Sequence, residues 1–498
     1  MKVAAVAAVA VGALATGTSA LQLVKRSNGP ARVVGMSIER KEISNPVEKD
    51  RLRKRGQTVS ETLDNFEDGS LYFANLTVGT PAQSLRLHID TGSSDMWVNV
   101  ANSQLCEEPA QEVENQGEVP CSVGGTYNAN SSSTYKYINS DFQIQYADGS
   151  MSQGDYVTDD MTIGGVTVKN QEMGIGYVSS SSEGVLGIGY SALEAEVQNE
   201  QGQPYANLPA SMVNQGLIQS NAYSLWLDDL ASSTGSILFG GVDTDKYHGS
   251  LQTLPIQQVQ GQYLEMIIVL TGASLVDGTT NTSVATTELP VGVLLDSGST
   301  LSYLPTQMTE KIYSALSVTW NQRMQSAFCA CSLANSSTTI NFLFSGVQIA
   351  VPLSEMVLEG GLTEDGSGPE GCTFGIFEQA PTTGDGGTPY TLGDTFIRSA
   401  YIVYDITNNE ISLAQTNFDS TSSNIVEIGT GKNSVPNASG VSSAASVQIT
   451  GTAGNGALGG ATATASSGST GTSSGSSTQK PLAALVGMAA VAALFFTL

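Results

Sequence analysis

Between Gly56 and about Ala414 the apolar positions fall in short β-branched or aromatic runs broken by Gly, Asn, Asp and Ser, a pattern that predicts an all-β body of many short strands. Helical signals are confined to 209–219 and 307–321, each opening near a proline or polar residue. The two ends follow different rules. Residues 1–20 read as Lys2, an apolar run over 3–15, and then Thr18-Ser19-Ala20, the charged start, hydrophobic middle and small-residue end of a secretory signal peptide. Residues 419–480 are dominated by Ser, Thr, Gly and Ala, a composition that predicts an unpacked, O-glycosylated stalk. The last segment, 481–498, is apolar, follows a polar spacer and has no basic residue after it, which predicts a GPI-attachment signal rather than a stop-transfer helix.

Charge refines this division. With 20 Lys and Arg against 46 Asp and Glu, the net charge is −26, which repels polyphosphate and excludes a nucleic-acid partner. The charge is unevenly spread, with residues 1–55 carrying +7 and the remainder −33. Arg51-Leu52-Arg53-Lys54-Arg55 ends the basic stretch, so residues 21–55 read as a propeptide docked on the acidic body by opposite charge, with the mature chain opening at Gly56. Protonation of carboxylates would weaken that docking. Only His88 and His248 are present, so a His-rich metal site cannot be assembled; no metal and no cofactor is expected. His88 reads as a strand residue rather than a catalyst.

In an oxidising secretory route the five cysteines should mostly pair. Cys106 and Cys121 are expected to close one loop. Cys372 takes either Cys329 or Cys331, with Cys331–Cys372 adopted as the working pair, leaving one thiol over. Sequons at Asn75, Asn130, Asn281, Asn335 and Asn437 agree with the same route.

One weak internal repeat lies within the body. The run Leu87-His88-Ile89-Asp90-Thr91-Gly92-Ser93 corresponds to Val293-Leu294-Leu295-Asp296-Ser297-Gly298-Ser299, each an apolar strand delivering Asp-(Thr/Ser)-Gly-Ser. Val185-Leu186-Gly187 and Thr391-Leu392-Gly393 then follow at the same separation in each half, as duplication of one lobe would produce. An isolated Asp-Ser-Gly is ordinarily a β-turn. Two at matched positions, together with Tyr146 in Tyr-Ala-Asp-Gly-Ser and the Gly-Asp-Thr-Phe-Ile-Arg-Ser-Ala-Tyr-Ile-Val-Tyr-Asp run over 393–405, resemble a pepsin-like aspartic endopeptidase over about 70–418. The basic leader, stalk and apolar tail make it similar to the fungal yapsin group. That resemblance implies an all-β bilobal fold, with an N-terminal lobe over 56–245, a C-terminal lobe over 246–418 and a catalytic cleft between them.

The chemistry follows from the carboxylates. Hydrolysing an amide without metal or covalent intermediate needs a base to activate water and an acid to protonate the carbonyl oxygen. Two carboxyls about 3 Å apart do both, because like charges so close share one proton. Asp90 and Asp296 are the candidate pair, and by resemblance Asp296 is the first base and Asp90 the first acid. Gly92 and Gly298 admit close backbone approach, Ser93 and Ser299 can donate to the outer carboxylate oxygens, and the resemblance has Thr91 and Ser297 bonding across the lobe boundary. It also assigns Tyr146, with Asp148 and Gly149, to a flap over the substrate, oriented by Trp97.

Glu107, Glu108, Glu112, Glu114 and Glu118 lie between the first two cysteines with no basic residue among them, so the loop could attract substrates with Lys or Arg at the scissile bond, as the resemblance also implies. A hydrophobic-site preference is the alternative. The expected partners are protein or peptide substrates, the chain's own propeptide and a membrane reached through a GPI lipid, acting as a monomer. An inactive cell-wall binding protein on the same fold would predict a damaged dyad or flap, and neither is seen. A glycosidase using two carboxylates is disfavoured by the Asp-(Thr/Ser)-Gly context.

Overall fold

Strand after strand is buried along its whole length, as in Met96–Asn99, Ala222–Trp226 and Ala400–Asp405, which fits sheets covered on both faces. The computed structural model describes residues 32–43, 69–115, 119–146, 150–200, 202–232, 234–322, 325–361, 371–379 and 387–453. The predicted signal peptide, both ends of the predicted propeptide, Asp148, Gly149, the stalk beyond residue 453 and the predicted GPI signal lie outside these residues.

The two Asp-containing strands sit in matching frames. Gln83–Asp90 pairs antiparallel with Gly69–Val78 and parallel with Gly184–Gly187, which in turn pairs antiparallel with Met96–Asn99. In the second half Val291–Leu295 pairs antiparallel with Ile267–Leu270 and parallel with Tyr390–Leu392, and the latter pairs antiparallel with Ser302–Pro305. The repeat read from the sequence is thus a repeat of strand pairing. Its glycines are there for space: a Cβ on Gly187 would lie 2.6 Å from Asp95 O, and one on Gly393 would lie 2.3 Å from Ser299 O.

A central antiparallel sheet joins the halves, running through Tyr247–Pro255, Glu410–Thr416, Ala400–Asp405, Ala222–Trp226, Thr234–Phe239, Val34–Ile43 and Gly69–Val78. Val34–Ile43 comes from the predicted propeptide. It is held by ladders on both sides, with Val34 and Ile38 buried. Charge adds to this at one end, where Lys41 and Arg86 reach Glu183 at 2.9 and 3.2 Å around the Phe73 ring. This segment is thus seated as an inserted strand, with backbone pairing and apolar burial added to a largely buried ionic clasp.

The predicted stalk also needs correction. Residues 419–453 are packed on the body: Ile425–Glu427 pairs with Gly241–Asp243, Ala438–Gly440 runs parallel to Leu251–Thr253, and Ile425, Ile428, Val435 and Ile449 are buried. The predicted helices are shorter than expected, at Leu208–Asn214 and Thr306–Leu316. The second stops where Ser317 turns left-handed (φ 57°), and Thr319–Asn321 becomes a strand paired with Ser326–Ala330.

Disulfides join Cys106 to Cys121 and Cys331 to Cys372. Cys329 stands opposite Cys372 in the ladder as a buried thiol, its pKa pushed up to about 12 by burial. All five sequon asparagines are exposed.

Elsewhere in the core, buried Arg398 donates from Nε to Glu355 Oε2 and from Nη2 to Glu355 O, both at 2.6 Å. Arg398→Ala would strand a buried carboxylate, and thermal or denaturant unfolding should show a loss of about 3–5 kcal/mol.

Candidate active site

Each Asp is delivered by the last residues of a buried strand and received by its own loop. Asp90 Oδ1 accepts from Gly92 N at 2.8 Å and Oδ2 from Ser93 Oγ at 2.6 Å. Asp296 repeats the arrangement, accepting from Gly298 N at 2.8 Å and Ser299 Oγ at 2.7 Å. Both carboxylates are buried, at 0% and 2% exposure.

The residues between them lock the loops together. Thr91 Oγ1 donates to Leu295 O at 2.9 Å and accepts from Ser297 N at 3.0 Å. Reciprocally, Ser297 Oγ donates to Ile89 O at 3.0 Å and accepts from Thr91 N at 3.2 Å. This cross-lobe set is the same from either side, so the two loops that carry the carboxyls are tied together by a local twofold arrangement. His88 Nε2 lies 3.3 Å from Ser297 O in the same ladder region, a strand position as expected.

Tyr146 lies at the end of a hairpin formed by Lys136–Gln145 and Met151–Ile163, closed by Tyr146 N donating to Ser150 O at 2.8 Å. Its hydroxyl accepts from Trp97 Nε1 at 2.8 Å, and both rings are buried. Gln104, just before the acidic loop, donates from N to Tyr177 O in the neighbouring strand Val166–Ser179, and Met151, at the turn end of the hairpin, donates from N to Ser180 Oγ. Glu107 and Glu112 are exposed and Glu108 half-buried, whereas Glu118 and the side chain of Glu114 lie outside the described residues.

Sequence reasoning missed Asp95. Its Oδ1 accepts from the hydroxyls of Tyr156 and Tyr205, both at 3.0 Å, and Oδ2 from Ala195 N at 2.7 Å. The residue thereby ties the Asp90 loop to the hairpin strand Met151–Ile163 and to the 194–205 segment. Burial raises its pKa to about 6 against these hydrogen bonds, which pull it down. Burial likewise raises neighbouring Glu194 to about 9 and Glu172 to about 7. The available signal was a charged residue directly after Ser93-Ser94 and immediately before the apolar run Met96-Trp97-Val98.

Comparison with known proteins agrees with this geometry. The family model described as eukaryotic aspartyl protease matches residues 71–416. The chain is 52% identical to the probable aspartic-type endopeptidase opsB of Aspergillus oryzae, over 86% of this chain and 84% of that protein. It is 37% identical to secreted aspartic protease 8 of Candida albicans, over 74% of this chain and 81% of that protein. The fold matches the crystal structure of the aspartic proteinase from Irpex lacteus with a TM-score of 0.56 at 21% identity, covering 78% of this chain and 100% of that one. The chain belongs to the eukaryotic aspartyl protease family and is an aspartic-type endopeptidase.

Proposed function

We propose that the protein is made as a secreted, GPI-tethered zymogen that hydrolyses peptide bonds with Asp90 and Asp296 and prefers Lys or Arg at the cleavage site. The observation that carries the catalytic assignment is the reciprocal Thr91–Ser297 hydrogen-bond set, which presents the two carboxyls equivalently. One proton shared by the pair supplies both a base to activate water and an acid for the substrate carbonyl, and the family resemblance assigns the first role to Asp296 and the second to Asp90. Ser93, Ser299, Gly92 and Gly298 fix the carboxylate planes throughout, so little reorganisation accompanies proton transfer. Tyr146, oriented by Trp97, closes over the bound peptide and excludes water.

The five glutamates between Cys106 and Cys121 support the basic preference. Cleavage of a randomised peptide library should enrich Lys or Arg beside the scissile bond; equal cleavage at apolar sites would favour the hydrophobic alternative. Secretion is supported by the predicted signal peptide and by relatives named as secreted. Among the described residues no helix is long and apolar enough to cross a membrane. The zymogen reading is supported by the inserted strand Val34–Ile43. A 21–55 peptide carrying Ile38→Asp should bind the mature body far more weakly than one carrying Lys41→Ala, because the first places a charge in a buried seat and the second removes a partly exposed pair. Titration calorimetry at neutral and acid pH reads both this difference and any acid-triggered release.

A further inference from the structure

Beyond the last strand of the central sheet, the chain does not leave the body. It runs alongside residues 251–265 and is fastened at successive steps. Leu251 N donates to Asn437 O at 3.0 Å and Val441 N to Thr253 O at 3.1 Å. Val447 N then donates to Gln257 Oε1 at 3.2 Å, and Gln260 N to Ile449 O at 2.9 Å. Ile449 is buried, set into space that only a glycine leaves: a Cβ on Gly292 would lie 2.8 Å from Ile449 Cδ1. The final fastening is Ala453 N, which donates to both carboxylate oxygens of Glu265, at 2.8 and 3.1 Å.

The position of Glu265 gives this path its meaning. Ile267 is opposite Leu294 in the ladder, and Leu295 N donates to Met266 O at 3.2 Å. One further step along the two strands brings Glu265 beside Asp296. Burial raises the pKa of Glu265 to about 8, the Ala453 N–H pulls it down, and the charge of Asp296 adds a smaller upward push.

We propose that residues 447–453 form a wall of the substrate cleft beside Asp296, anchored by Glu265, and that this strap narrows the cleft against bulky substrate side chains on its flank. The strap is small and uncharged where it nears the dyad, with Thr450, Gly451, Thr452 and Ala453 in succession. It belongs to the part of the chain that follows the matched family region, which ends at residue 416. An extended peptide therefore meets the enzyme's own tail on that side.

The inference rests on the peptide-bond hydrolysis proposed above and is tested in the full-length chain. Ile449→Asp should unseat the strap, read as faster hydrogen exchange at amides 447–453. It should also raise kcat/KM for peptides carrying Phe or Trp on one flank of the scissile bond, relative to Ala, by roughly 10-fold. Glu265→Ala should do the same, whereas Glu265→Gln, which keeps an acceptor for the Ala453 N–H, should retain the wild-type ratio. Faster exchange with an unchanged ratio would overturn the wall. Unchanged exchange in Ile449→Asp and Glu265→Ala would overturn the anchoring. A wild-type chain that cleaves no peptide would count instead against the hydrolytic reading.

Discussion

Asp90→Asn and Asp296→Asn should each lower kcat by roughly 10²–10⁴-fold, with the double variant losing little more than either single one. The substitution removes the shared proton but keeps the geometry. An Asn amide can still accept from Gly92 N or Gly298 N, and Ser93 or Ser299 can rotate its hydroxyl to accept from the amide nitrogen. Folding stability should therefore change far less than activity. The double variant isolates the coupling, because an acid and a base that act as one unit cannot be lost twice. Single-turnover cleavage of a fluorogenic peptide, beside a thermal melt, is the measurement. Multiplicative losses would mean that the two groups act independently.

Stability should be greatest near pH 4 and fall as pH rises toward neutrality. Three buried carboxyls and the half-buried Glu172 keep their protons in the folded state: Asp95 to about 6, Glu172 to about 7, Glu265 to about 8 and Glu194 to about 9, desolvation being the largest cause in each. In the unfolded chain such groups ionise near pH 4. Below that pH both states are protonated and there is no dependence. Above it, the folded state holds more protons than the unfolded state, so unfolding becomes easier with each rise in pH. The dependence is steepest where all four differ, from about pH 4.5 to 6, and each group contributes up to about 1.4 kcal/mol per pH unit. Asp159 acts in the opposite direction: burial pushes it up, but hydroxyl hydrogen bonds from Thr134, Tyr127 and Ser132 outweigh this and its pKa is lowered. Glu194→Gln keeps an acceptor for Tyr205 N and removes the widest window, so its melting temperature should fall less steeply between pH 5 and 8. Melts in an Asp90→Asn background avoid self-digestion. An equal slope in both proteins would remove Glu194 from the account.

What the sequence made legible was short-range and repeated. Asp90 and Asp296 each follow an apolar strand and precede a glycine, and the hydrogen bonds of Ser93 and Ser299 span only three residues, so the motif contains its own geometry. Asp95 was hidden for the opposite reason, since Tyr205 lies 110 residues away in the chain. The cysteine pairing was open because Cys329 and Cys331 are two residues apart; Cys329 faces Cys372 in the ladder, yet Cys331 carries the bond. Composition misled over 419–453 because that segment is held mainly by backbone hydrogen bonds, with a few widely spaced apolar anchors such as Ile428 and Ile449. Averaged over the segment, those anchors vanish among Ser, Gly and Ala. In the basic leader the signal was present in the period-two spacing of Val34, Met36 and Ile38, but net charge was the louder feature.

The placement of Val34–Ile43 between Thr234–Phe239 and Gly69–Val78 separates scission from departure. A cut after Arg55 severs one peptide bond and none of the rungs on either side, so the nicked particle would keep its native size while denaturation split it into two fragments. Under the zymogen reading proposed above, release of the leader then requires an interior strand to be withdrawn from the sheet, with its rungs to both neighbours broken after the cut.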